Sequence, residues 1–205
     1  MANPQKRENR QLLLPGIIII IAGVEFIIGI FVAQAYYPGY SITQNGLSDL
    51  GATCHTAIAF TPNSCLIYQT SATIFDAALC IIGFLFATSA VLSYPSLKNK
   101  LFSAAFALFG LGALVAGIFT EQSLIIHSVA ALVQFVAGII AVLRAHRLSL
   151  AKPRYFRPLS TLVGLVSLAA LIVFPCHAVQ QCWGNRENRG LSSHWVDDWL
   201  RNILG

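Results

Sequence analysis

Five ionisable side chains lie within or beside runs of apolar residues: Glu25, Asp49, Asp76, Glu121 and His127. A charge inside a membrane-spanning helix costs about 2.5–3.5 kcal/mol on insertion scales, so such groups point to a functional role before a packing one. At roughly 1.5 Å per residue, Glu25 falls about 20 Å along its apolar run and Asp76 about 14 Å along the next. His127 opens a later run, just after Glu121. Brought together by a helix bundle, these groups would form one polar cavity. Histidines are the only cations near them, so some of the carboxylates must be protonated, hydrogen-bonded or metal-bound. Together with His55, His127 and His177 they supply the donor types that zinc or another divalent ion takes. The spacing does not support a metal site, because the chain has no HExxH pair; it also lacks a Gly-x-Ser-x-Gly nucleophile turn. No catalytic residue, metal ligand or cofactor can be assigned. The candidate ligand-binding set is Glu25, Asn45, Ser48, Asp49, Asp76, Glu121 and His127.

The elements that must hold these groups follow from composition. Of 205 residues, 56% are hydrophobic and 10% charged, with a mean hydropathy of +0.69. Soluble domains carry about 25% charged residues, so this is an integral membrane protein in contact with a lipid bilayer. A span needs about 20 mostly apolar residues. Five stretches meet that need, at 12–32, 67–91, 102–119, 124–143 and 159–174. They predict an all-α, polytopic membrane helix bundle. The first stretch is too long for a signal-peptide core and contains Glu25, so it reads as a retained helix. Small residues in "FGLGALVAG" and "VAALVQFVAG" predict close helix packing rather than a cofactor site. Pro15 reads as a first-turn residue, where a missing amide costs nothing.

The net charge of +5 does not indicate a nucleic-acid partner, because its placement follows membrane topology. Lys6, Arg7 and Arg10 precede the first span, Lys98 and Lys100 follow the second, and Arg144, Arg147, Lys152, Arg154 and Arg157 separate the fourth from the fifth. The alternate connections, 34–66 and the turn at Glu121, hold no Lys or Arg. The positive-inside rule then predicts a cell-membrane protein with a cytoplasmic amino terminus (1–11), a bundle domain (12–178) with an external loop (33–66), and a tail (179–205).

The external loop contains "YSITQNGLSDLGATC". Pro38 and Gly39 mark a turn, Asn45 and Gly46 mark another, and Ser48 or Asp49 is suited to capping a short helix or bonding its own backbone. Such a loop is a formed lid over the mouth of the bundle rather than a slack linker. Cys54 and Cys65 are spaced to close a small external disulfide loop, while Cys80 lies inside a span and Cys176 and Cys182 lie near the end.

At these residues the chain resembles the prokaryotic multi-pass membrane family known as domain of unknown function 998. The resemblance rests on the Tyr-rich exit from the first span and on the Asn-x-x-Ser-Asp-Leu-Gly loop, here Asn45, Ser48, Asp49, Leu50 and Gly51. It extends to Asn63 before the second span and to His127 through Phe135 at the start of the fourth. It covers about 12–174 and implies a six-helix bundle ending in a Gly-Gly-x-Glu-Arg turn and a last helix. The tail, "QQCWGNRENRGLSSHWVDDWLRNILG", has no such helix. Read one nucleotide later from Cys182, its codons can spell an apolar helix opening with Gly-Gly-x-Glu-Lys, so a frameshifted sixth span is expected; a short amphipathic tail is the alternative. The family label implies no reaction. The residues favour binding of a small molecule or lipid headgroup in the external polar pocket; a metal-dependent intramembrane lipid hydrolase and an accessory subunit of a membrane complex are the alternatives. Oligomeric state is not legible.

Overall fold

Apolar residues without interruption by charge build the helices. In the computed structural model, which describes residues 4–54, 65–145, 158–159, 161–166 and 168–169, they are α1 (Pro4–Ala35), α2 (Gln69–Leu97), α3 (Lys100–Ile118) and α4 (Leu124–Ala145). All four are long and apolar enough to cross a membrane, α1 over Gln11–Ala35. The chain divides into two compact units, Met1–Leu165 and Val166–Gly205, and the account below concerns the first. Of the fifth expected span, the described residues are helical. The rest of that span, most of the basic segment before it, the tail from 179, and His55, Asn63, Cys176, His177 and Cys182 lie outside the described residues.

Each helix packs on its neighbour in sequence: α1 on α2, α2 on α3, α3 on α4. Short connections force successive helices to run antiparallel. The turn between α2 and α3 shows how the sequence does this. Lys98 takes a left-handed conformation at φ 48°, its amide bonding the Tyr94 carbonyl, and Asn99 then caps α3 by accepting the Phe102 amide at 3.1 Å.

Small residues set the packing distance. A Cβ on Gly83 would lie 2.5 Å from the Leu114 nitrogen and 2.6 Å from the Gly110 carbonyl oxygen, and one on Gly110 would lie 2.5 Å from the Ala87 nitrogen. The α2 and α3 backbones therefore touch at this crossing, as the small-residue spacing predicts. Without water to drive helices together, close van der Waals contact takes the place that bulky apolar cores hold in soluble proteins. The fully buried positions accordingly include Ala22, Ala33, Ala113, Ser71 and Ser89. The large apolar side chains turn outward instead: Leu13, Ile17, Ile20, Val24, Ile27 and Phe31 form an exposed stripe along α1, the surface a bilayer would cover.

Pro15 departs from the expectation for a first-turn residue. It lies inside α1, well past Pro4. Proline in a helix interior removes one amide and leaves a carbonyl short of its partner. Hydroxyls on α2 tie α2 to α1 in this region: Ser89 Oγ donates to the Pro15 carbonyl at 3.0 Å, and Ser96 Oγ donates to Gln11 Oε1 at 3.0 Å.

Between α1 and α2 the loop holds a 3-10 turn (Ser48–Leu50) and a two-stranded antiparallel ladder, β1 (Thr53–Cys54) with β2 (Cys65–Leu66). The register sets Cys54 opposite Cys65, and Cys65 is disulfide-bonded. A second 3-10 turn (Glu121–Ser123) joins α3 to α4, and β1 lies against it.

Candidate functional site

The polar groups converge at the end of the bundle that carries this loop. Among the described residues, that end holds Asp49, Asp76, Glu121 and His127 and no Lys or Arg, whereas Lys98, Lys100 and Arg144 stand at the opposite end.

The loop is built around Asp49. Its Oδ2 accepts the Gly46 amide and the Asn45 side-chain amide, both at 3.0 Å. Asn45 Oδ1 in turn accepts the Ser41 amide at 3.0 Å, and the Asn45 amide reaches back to the Ser41 carbonyl at 2.8 Å. The reverse turn that Asn45 and Gly46 announce in the sequence is thus clamped from both sides by side chains. Gly39, at φ +75°, makes the tight turn that lets the chain double back after α1. Asp49 spends Oδ2 on its own loop, and Ser48 forms no helix cap. The local role weighed for Asp49 is the one the geometry supports at that oxygen.

Three tyrosines buttress the loop. Tyr37 packs edge-on against Tyr40 and Tyr68, with ring centroids 5.5 and 4.6 Å away. Tyr40 donates to the Gly46 carbonyl at 3.3 Å. Burial pushes the Tyr40 phenol above its ordinary pKa, with further upward pressure from Asp49 and Tyr37, so it stays protonated and keeps donating. Thr53 Oγ1 donates to the Asp49 carbonyl at 3.2 Å, which makes it the acceptor in its 2.6 Å contact with the Tyr37 hydroxyl.

Under the loop lies Asp76. A Cβ on Gly51 would stand 2.7 Å from Asp76 Oδ1, so the last residue of the Ser-Asp-Leu-Gly run rests directly on this carboxylate. One turn further along α2 is Cys80, a free thiol whose Sγ approaches the Leu114 carbonyl at 3.9 Å. Asp76 is also within electrostatic reach of His127. The imidazole is held by α3: His127 Nδ1 lies 2.8 Å from the Phe119 carbonyl and 3.1 Å from that of Ala116. Carbonyls only accept, so Nδ1 carries a proton and satisfies the end of a helix that leaves its last carbonyls without partners. In the neutral tautomer that this contact selects, Nε2 is the acceptor.

The remaining sequence candidates are Glu121 and Glu25. Glu121 belongs to the second 3-10 turn, which packs beside β1 of the same loop. Glu25 faces the bundle from α1 with its Oε2 buried and lacking a hydrogen-bond partner, so that oxygen is not bonded to the loop. Sequence reasoning passed over Thr53, Ser71 and the contact role of Gly51. A hydroxyl whose partner lies on another element gives no local pattern to read. Among the described residues, no group of three His, Cys, Asp or Glu side chains is placed to hold a metal ion.

No curated protein matches the chain, and neither does any solved structure. A family model does, over residues 20–196 of the 205, from within α1 through the whole loop and the later helices. The chain, a multi-pass membrane helix bundle, belongs to the family described as Protein of unknown function (DUF998).

Proposed function

We propose that the protein binds a small molecule or lipid headgroup at the loop end of the bundle, through Asp76 and His127, with Asn45, Ser48, Asp49, Glu121 and Glu25 as further candidate contacts. The observation that carries this reading is the placement of Asp76. An ionisable group within a span is costly, and this one lies against Gly51 of the loop and within electrostatic reach of His127. A neutral imidazole with its proton on Nδ1 has Nε2 as an acceptor, and the carboxylate accepts as well when ionised. A ligand that donates hydrogen bonds, as a headgroup amine or hydroxyl does, matches that pair.

The proposed orientation sets the amino terminus in the cytoplasm of a cell-membrane protein and the loop outside. Two independent features favour it. Lys and Arg gather at the end opposite the loop, and a disulfide-bonded Cys65 at the loop end suits an oxidising compartment.

Thermal melting of the detergent-purified protein with short-chain phosphatidylethanolamine, phosphatidylcholine and phosphatidylglycerol tests the binding reading. Binding at a hundred times Kd adds about 2.7 kcal/mol of stability, which raises the midpoint by several degrees. That rise should disappear in Asp76→Asn. If none of the three lipids shifts the wild-type midpoint, or Asp76→Asn shifts equally, the reading fails.

A further inference from the structure

The contacts that hold the loop over Asp76 divide into two kinds. Those within residues 41–49 are internal: Ser41 to Asn45, Asn45 to Asp49, and Gly46 to Asp49. They tie the turn into one cross-bonded unit. The attachments to the helices are few, and they cluster at 50–53. Leu50 is 1% exposed, seated among Ala33, Tyr37, Phe75 and Leu79. Ser71 Oγ, fully buried on α2, donates to the Leu50 carbonyl at 3.0 Å. Tyr37, at the end of α1, donates to Thr53. Between these anchors Gly51 lies on the Asp76 carboxylate. Upstream, Pro38 and Gly39 supply a turn about which a stiff loop can pivot.

From this arrangement we infer that the 41–53 loop is a gate over Asp76, held shut by the Leu50 plug and by two hydroxyl latches, Ser71 to the Leu50 carbonyl and Tyr37 to Thr53. The inference rests on the binding reading for its purpose: Gly51 covers the loop-facing side of the half-buried Asp76, and lifting the gate clears that side for a ligand. Lifting it breaks the latches together while the hydrogen bonds within 41–49 survive. Access is thus governed by a two-state displacement of one rigid segment rather than by gradual loosening. The paired β1 and β2, with Cys65 in its disulfide, limit how far the segment travels at its downstream end.

A thiol placed under the gate reads its opening without any ligand. In a Cys80→Ser background, Asp76→Cys is exposed to a charged, membrane-impermeant methanethiosulfonate reagent, and modification at position 76 is followed by mass spectrometry. Ile42→Cys, at a loop position 78% exposed, gives the rate of an ungated thiol. The expected result is slow labelling at position 76 relative to position 42, accelerated about fivefold by Ser71→Ala and again by Tyr37→Phe, the factor that one net hydrogen bond places on an opening equilibrium. Labelling at position 76 as fast as at position 42, or rates unmoved by both latch variants, would overturn the gate. Should Asp76→Cys fail to fold, hydrogen exchange at the 47–53 amides in Ser71→Ala with native Asp76 reads the same opening; about fivefold faster exchange supports the gate and unchanged exchange refutes it. Absence of any lipid-induced melting shift would sink the binding reading while leaving these rates as they are, so the two failures are separable.

Discussion

Gly51 shows how a single residue ties the loop to the membrane interior. Its lack of a side chain is what allows backbone to rest against Asp76, since an added Cβ would fall 2.7 Å from Oδ1 and 3.3 Å from the Phe75 ring. The Asp76 carboxylate would have to turn aside, and Phe75 is not free to yield, because it is buried in the cluster that receives Leu50. Gly51→Ala should therefore destabilise the protein by about 1–3 kcal/mol, the usual cost of overpacking. Gly16→Ala is the matched control: a Cβ there meets nothing within 4 Å, and alanine is the better helix former. Thermal melts of the two variants should move in opposite directions, and equal midpoints would remove Gly51 from the account. The hydroxyl of Tyr37 and the imidazole of His127 act in the same manner, each satisfying a polar group that the fold places away from water.

At the level of elements, the α2–α3 crossing is the tightest joint described. Gly83 and Gly110 let the two backbones meet, and Phe86 packs across the same interface on Phe106 and Phe109, with ring centroids 5.0 and 4.9 Å away. A Cβ at Gly83 meets backbone atoms, which cannot rotate aside. Gly83→Ala should cost roughly 1–3 kcal/mol and Gly83→Val more, because the helices must separate. Gly23→Ala, on α1 with open space around it, should be close to neutral. The order of loss, read from residual folded fraction after mild heating in detergent, checks the claim. The ladder between β1 and β2 leads to a second expectation: peptide mapping under non-reducing conditions should recover Cys65 joined to Cys54, its neighbour in register. Replacing Cys54 by Ser should then cost about 3 kcal/mol or less, in keeping with a short closed loop. Recovery of Cys65 with a different cysteine would reject the pairing.

For the whole molecule, the distribution of charge makes the sharpest prediction. Phosphatase reporters inserted in the Tyr40–Asn45 stretch should be active, and those at Lys98 inactive, if the loop is outside and the basic turns are inside. The reverse pattern would invert the proposed topology and, with it, the side from which a ligand reaches Asp76. The tail has its own test. Sequencing the gene across the codons near Cys182 decides whether the shifted frame can spell an apolar helix; codons that cannot do so end the frameshift proposal.

The sequence by itself determined the membrane class, the approximate extent of the first four helices, the family, and the segregation of Lys and Arg. These are readable because each is a property of consecutive residues: about 20 apolar positions make a span whatever it packs against, and a motif such as Asn-x-x-Ser-Asp-Leu-Gly is local by nature. It also marked the right turn residues, since Gly39 and the Asn45–Gly46 pair carry their own conformational preferences. Pro15 was misread because the helix begins earlier than its apolar run, and an amphipathic or charged first turn leaves no hydropathy signal. The tertiary structure alone decided which candidates meet. It turned Asp49 inward to its own loop, set Gly51 on Asp76, brought His127 to the end of α3, and left Glu25 with an unbonded oxygen. Such pairings join residues far apart in the chain, and they depend on helix rotation and crossing distance, which the small residues at Gly83 and Gly110 fix only once the helices are packed together.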